Sequence, residues 1–240
     1  MRSLPAPEAE RSLRRELREG TRFVRDQAWL WSTLVAASLA ILFFLGPLEV
    51  LLPYVVRNEL DAGPGSYGAI MAAAGVGAVV ASLALSQRGL PRKRYVTLMY
   101  VVWSVGTLPL VGYAIGTAVW QLMLFAIFFG ACITAGSVVW GTLMQARVPP
   151  ELRGRVHSLD WFVSIGLAPL SFALTGPVSN AIGVQTTLIL AGVVPMVATA
   201  ALFFVARLRR DEERNPLGGD ESRRAPAVSA SASGAAQPGQ

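Results

Sequence analysis

Charged residues in this chain come in short clusters, separated by long stretches that have none. No Lys, Arg, Asp or Glu occurs between Asp26 and Glu49, between Arg94 and Arg147, or over residues 161–205. Crossing a hydrocarbon core about 30 Å thick takes about 20 helical residues, and each gap is long enough for at least one crossing. Turn-forming and basic breaks divide the apolar stretches into six predicted spans, near 29–56, 68–86, 95–115, 118–144, 159–181 and 186–206. The first opens on Trp29 and Trp31, residue types that favour the membrane interface, and is expected to bend at Gly46-Pro47 and Pro53. Pro109 predicts a kink in the third, and Pro169 and Gly176-Pro177 interrupt the fifth. In the second, Ala73, Gly77 and Ala81 recur every fourth residue, which lets a neighbouring helix approach closely.

The link over 145–160, QARVPPELRGRVHSLD, fixes the orientation. It is short, is broken by Pro149-Pro150, and carries Arg147, Arg153 and Arg155 between two uncharged runs. Short basic links of this kind face the cytoplasm. Counted by side, Lys and Arg number seven before the first span, four in the link after the second, three after the fourth and six after the last, against Arg57 alone on the other side. An even number of spans with both termini cytoplasmic satisfies this count, and the expected location is the cell (inner) membrane.

Composition agrees. Hydrophobic residues make up 53% and charged residues 15% of 240, well below the roughly 25% charge of soluble domains. The net charge of +6 does not point to nucleic acid, because the basic residues flank spans instead of lining one soluble face. Cys132 is the sole cysteine, so no intrachain disulfide can form. Residues 1–28 read as a charged cytoplasmic segment with an amphipathic stretch or a solvated linker over 12–25. Residues 207–240, rich in Ser, Ala, Gly and Pro, read as a disordered cytoplasmic tail. Gly75-Val76-Gly77 lies inside an apolar helix and is no dinucleotide fingerprint. With no phosphate loop, metal-ligand cluster or nucleophile–base pair, no cofactor, metal or enzymatic activity is expected.

Several motifs carry a family likeness. Val148, Pro149, Glu151, Leu152, Arg153, Gly154, Arg155 and Val156 form V-P-x-E-L-R-G-R-V, followed by an apolar helix with Pro169 and then Gly176-Pro177. Leu17–Val24 reads L-R-E-G-x-R-F-V, Leu51–Pro53 reads L-L-P, and Tyr67-Gly68 leads into the helix holding Gly75 and Gly77. In these features the chain resembles the C-terminal six-helix half of a major facilitator superfamily transporter, in the bacterial branch that includes enterobactin-type exporters. The resemblance implies an all-α membrane protein: six transmembrane helices forming one half-bundle of two three-helix inverted repeats. It also implies one half of a proton-coupled secondary exporter of small molecules, partnered by a missing N-terminal six-helix half or by a second copy, unless the chain is a truncated fragment. Membrane lipid and a small-molecule substrate complete the expected partners. One departure stands out: Arg88, Gly89, Arg92 and Arg94 keep the basic character of the family's loop between second and third helices, but its Asp is missing. A non-transporting membrane protein that acts through helix pairing is the alternative.

Glu49 is the one acid within an apolar run. Buried ionisable groups in membranes mark proton or substrate paths, but about 30 Å along the helix from Trp29 the residue is also placed to sit at the wet outer interface. Gly130, Thr134, Ser137, Gly141 and Gln145 share one face of the fourth span. The family likeness places that face and the helix of Glu49 on a central cavity, while helix packing is the plainer use of such a stripe. The candidate proton or substrate path is therefore Glu49, Thr134, Ser137 and, near the outer end, Gln121. Glu151, Arg153, Arg155 and Asp160 are candidates for a cytoplasmic latch, or else serve only topology. Ser158 is placed to cap the turn holding Asp160, and His157 reads as a surface residue.

Overall fold

The computed structural model describes residues 27–89, 94–206 and 208–209. The charged segment before residue 27, read as an amphipathic stretch or a solvated linker, residues 90–93 of the basic link after the second span, and nearly all of the tail expected to be disordered lie outside the described residues. Six helices long and apolar enough to cross a membrane are present among those described: α1 (Ala28–Glu59), α2 (Pro64–Arg88), α3 (Tyr95–Ile115), α4 (Val119–Arg147), α5 (Pro150–Ile182) and α6 (Val184–Val205). The described residues contain no strand. This is an all-α membrane half-bundle.

Local chemistry sets the helix ends and bends. Pro64 and Pro150 sit in first turns, where a missing N–H costs nothing. Gly183, with φ +88°, is the single residue joining α5 to α6, and Gly89, with φ +70°, ends α2. Within α1 the turns widen over Ile41–Leu45, Pro47–Leu51 and Val55–Glu59. Pro47 and Pro53 lack the N–H that a regular ladder needs, so nearby bonds lengthen to the fifth residue. Helix α3 breaks between Gly106 and Pro109. There Thr107 Oγ1 donates to the Gly192 carbonyl of α6 at 2.8 Å, so the break is pinned to its neighbour.

The link over 145–160 departs from expectation. Helix α4 continues to Arg147 and α5 begins at Pro150, nine residues before the predicted start of the fifth span, so the non-helical link shrinks to Val148-Pro149. Pro150 presets the first helical φ, Glu151 suits the positive end of the helix dipole, and the following sequence is polar without being helix-breaking. Polarity ends a membrane span but not a helix. Ser158 accordingly caps nothing: its hydroxyl donates to the Gly154 carbonyl within α5 at 2.8 Å.

The packing pattern repeats between the two halves of the bundle. Helix α2 lies on α4, and α5 lies on α1; α3 lies on α4, and α6 on α1; α3 and α6 meet each other. Exchanging α1–α3 for α4–α6 maps this set onto itself, the signature of two inverted three-helix repeats. Two buried clusters fill the bundle, one at each end. At the arginine-rich end Trp29, Leu30, Tyr95, Met99, Leu143 and Val156 pack together. At the opposite end Leu52, Ile70, Leu110, Tyr113, Leu122 and Leu188 do so. Outside these clusters α2 and α5, equivalent helices in the two repeats, present Val76, Val79, Val80 and Leu83, and Trp161, Phe162 and Ile165, as exposed apolar side chains.

Candidate functional site

At the arginine-rich end, tryptophans from three helices form a chain. Trp140 of α4 stands 6.1 Å from Trp29 of α1 and 6.5 Å from Trp103 of α3, ring centre to ring centre. Gly136, one turn before Trp140 on α4, leaves room for the Trp103 indole, which a Cβ there would strike. Arg147, the last residue of α4, lies with its guanidinium 5.5 Å from the Trp29 ring centre and 5.2 Å from that of Tyr95, and donates to the Tyr95 hydroxyl. A cation over aromatic faces is held by their quadrupoles. One arginine thus ties α4 to both α1 and α3.

The Trp140 indole Nε1 also donates to Asp160 Oδ2 at 3.4 Å, a long bond across from α4 to α5. Asp160 is half-buried. His157, one turn earlier on α5, interacts electrostatically with it, and accepts at Nε2 from the Trp161 indole at 3.0 Å. His157 is exposed. Arg153 donates from Nε to the Val148 carbonyl at 2.9 Å and from its terminal nitrogen to the Gln145 carbonyl. It thereby satisfies carbonyls at the end of α4, which no further turn would reach. Glu151 is exposed and Arg155 half-buried.

Glu49 sits in a widened turn of α1 near the opposite end. It is exposed, and close enough to Tyr67 of α2 for the two to interact electrostatically. The stripe on α4 divides in two. Gly130 is pressed so closely on α2 that an added Cβ would strike the Ala74 carbonyl, which makes this end of the stripe a packing surface. Thr134 is half-buried, Ser137 is exposed with its hydroxyl turned back to the Ile133 carbonyl at 2.9 Å, and Gly141 has open space beside it. Gln121 accepts from the Thr117 backbone N–H at 2.9 Å, fixing the turn that opens α4, and lines a shallow cavity of about 440 Å³ with Trp120 and Leu124. Glu49, the Thr134–Ser137 pair and Gln121 therefore occupy separate places on the bundle.

Two contributors escaped sequence reasoning. Trp140 is one, its partner Asp160 being twenty residues away. Ser171 is the other. Its Oγ accepts from the Gly46 N–H at 2.8 Å and donates to the Leu42 carbonyl at 2.8 Å. In a regular α-helix those two backbone groups bond each other, so a hydroxyl from α5 is inserted into the ladder of α1 just before Pro47. Thr175, next along α5, gives its own hydroxyl to the Ser171 carbonyl at 2.8 Å. Gly46 allows the approach, since an added Cβ would collide with Thr175 and the Ser171 backbone. The signal in the sequence was Gly46-Pro47 on one helix and the small polar pair Ser171 and Thr175 on another, but nothing local joins them.

Known proteins resemble this chain along most of its length. The multidrug efflux pump Tap of Mycolicibacterium fortuitum is 27% identical over 205 residues, covering 80% of this chain and 46% of the relative. Macrolide efflux protein A of Streptococcus pyogenes is 22% identical over 179 residues, covering 74% of this chain and 44% of the relative. The chain spans about half the length of the curated relatives it matches. No solved structure matches it. The family described as transmembrane secretion effector matches residues 3–233. Six apolar helices fit one half-bundle of the major facilitator fold, and the chain belongs to the transmembrane secretion effector family of major facilitator-type transporters.

Proposed function

We propose that this six-helix bundle is one half of a proton-coupled secondary exporter that moves small molecules out of the cell. The observation that carries the reading is the match of fold to length: one half-bundle of two inverted repeats aligns with just under half of each efflux protein it resembles. Alternating access needs two such bundles rocking about a site near the bilayer midplane. The second bundle is supplied by a separate six-helix half or by another copy of this chain, and the exposed apolar sides of α2 and α5 are the surfaces available to it. The likeness of residues 148–156 to the enterobactin-exporter branch agrees with outward transport. Both termini face the cytoplasm of the cell (inner) membrane in this reading, because 20 of 21 Lys and Arg lie on that side.

Within the half-bundle, Glu49, the Thr134–Ser137 pair and Gln121 are proposed as separate stations of the proton and substrate path, which only a second bundle would join. Asp160, with Trp140 and His157, forms a polar junction where α4 meets α5 at the cytoplasmic end. Efflux of a macrolide or a lipophilic dye from cells carrying the chain alone, the chain with a six-helix partner, and neither, with and without a protonophore, tests the proposal. Protonophore-sensitive efflux is expected wherever two half-bundles assemble. Efflux by an isolated monomer, or unaltered drug retention in a demonstrated two-bundle assembly, overturns it. In the assembled exporter Glu49→Gln should abolish proton-driven efflux while leaving membrane insertion intact; unchanged efflux removes Glu49 from the path.

A further inference from the structure

A cavity of about 960 Å³ lies between α3 and α6, lined by residues of neither Glu49's helix nor the α4 stripe. Its walls are apolar: Val101 and Val105 from α3 face Val197, Ala201 and Phe204 from α6. One end differs. There Arg94, immediately before α3, and Arg209, just after α6, both line the opening, and both are exposed. Leu208, fully buried in the cluster at this end of the bundle, anchors the chain beside Arg209. The positive end of the α3 dipole opens at the same place.

The groove's length is informative. From Arg94 to Val105 along α3 is about 16 Å at 1.5 Å per residue, close to one leaflet of a hydrocarbon core about 30 Å thick. Two guanidinium groups at the polar boundary and one leaflet's depth of apolar wall match a single kind of molecule. We propose that the groove between α3 and α6 binds an anionic phospholipid, its phosphate held by Arg94 and Arg209 and an acyl chain laid along the wall between the two helices. Arginine suits the phosphate through its planar, forked donors, and Thr97 adds a hydroxyl beside the headgroup. In the orientation proposed above, this end faces the leaflet richer in anionic lipid. A lipid seated here adds a further bridge between the outer helices of the two repeats, beside the Tyr100–Phe203 ring contact and the Thr107–Gly192 bond nearer mid-span.

The test uses the purified full chain in detergent, offered dioleoyl phosphatidylglycerol or dioleoyl phosphatidylcholine, with retained lipid read by native mass spectrometry. Phosphatidylglycerol should be retained in preference. The double variant Arg94→Gln/Arg209→Gln should lower its retention by on the order of tenfold and leave phosphatidylcholine unchanged. Val101→Trp/Val197→Trp fills the groove with both charges kept, and should lower retention of both lipids. Inorganic phosphate in excess should not displace the lipid. Equal retention of phosphatidylglycerol by wild type and the arginine variant, no effect of filling the groove, or displacement by phosphate alone would overturn the proposal. None of these readouts depends on transport, so this inference and the exporter reading fail separately.

Discussion

The α2–α4 and α5–α1 contacts are equivalent under exchange of the two repeats, yet they are held together in different ways. Between α2 and α4 the backbones touch: a Cβ added to Gly77 would strike the Ile127 carbonyl, and one added to Gly130 would strike that of Ala74. Between α5 and α1 the contact runs through hydroxyls, with Ser171 inserted between Leu42 and Gly46 and Thr175 bonded behind it. In lipid the apolar surroundings give helices little hydrophobic reason to associate, so close packing and interhelical hydrogen bonds decide. The first interface uses packing and resists any change of spacing. The second uses bonds that have an alternative, because the Gly46 N–H and Leu42 carbonyl can close on each other once the hydroxyl leaves. A backbone-to-backbone pair and a hydroxyl-bridged pair thus occupy symmetry-equivalent places, and α1, the helix bearing Glu49, belongs to the hydroxyl-bridged one.

The largest expected effect is at the rigid interface. Gly77→Val or Gly130→Val forces two backbones apart, at a cost of about 1–3 kcal/mol or more, and should lower the thermal unfolding midpoint and the yield of monodisperse protein. Gly75→Ala on the same helix meets nothing within 4 Å and should be neutral or slightly stabilising. A Gly77→Val protein that melts like wild type would mean that α2 and α4 are not in backbone contact.

Ser171→Ala is milder and tests the other interface. Two hydrogen bonds in a membrane setting, each worth about 0.6 kcal/mol, give roughly 1 kcal/mol of destabilisation. Hydrogen exchange should rise in peptides covering Ser171 to Val178, whereas peptides around Leu42 to Gly46 stay protected as α1 closes its own ladder. Faster exchange on both helices would show that α1 has no such alternative, and with that the contrast between the two interfaces would disappear.

How much of this was legible in the sequence follows from the same physics. Gaps in charge announce crossings because a charged group in lipid is expensive, so six helices and the arginine-rich side can be read directly. The Ala73–Gly77–Ala81 stripe is legible too, since only small residues permit close approach; all three are buried. Which apolar face meets a partner is not legible, because Val79, exposed, and Leu122, buried, are equally acceptable to lipid. Periodicity that marks a core in water is blunted here. Helix α5 starts nine residues before the span read near 159–181, because loss of hydropathy ends a crossing without ending a helix. Ser171 and Trp140 were missed because each acts across a contact that only the three-dimensional arrangement creates.

The arginine-rich end offers a smaller test. Arg147→Gln removes the cation from between Trp29 and Tyr95 and should cost about 1 kcal/mol, with a red shift in tryptophan emission as Trp29 loosens. Arg147→Lys should recover part of the stability, since an ammonium still attracts the rings but lacks the planar fork. Identical melting and emission for wild type and Arg147→Gln would reduce Arg147 to a marker of topology.

The smallest structural effect, and the sharpest functional contrast, is expected at Asp160. Its bond from Trp140 is 3.4 Å long, at the weak end of hydrogen-bond geometry, and an amide keeps an oxygen to accept it. Asp160→Asn should therefore shift stability by no more than about 0.5 kcal/mol, the range of an ordinary surface change. Its own helix, α5, is nonetheless the one clipped into α1, so a charge change at residue 160 acts on the helix that also bears Ser171. Comparing Asp160→Asn with Glu49→Gln in a working two-bundle exporter separates two sources of proton coupling. Loss of efflux in Glu49→Gln alone assigns coupling to the distorted helix α1. Loss in Asp160→Asn alone moves it to the junction of α4 and α5, beside the tryptophan chain, and would make the exposed carboxylate of Glu49 a solvated bystander.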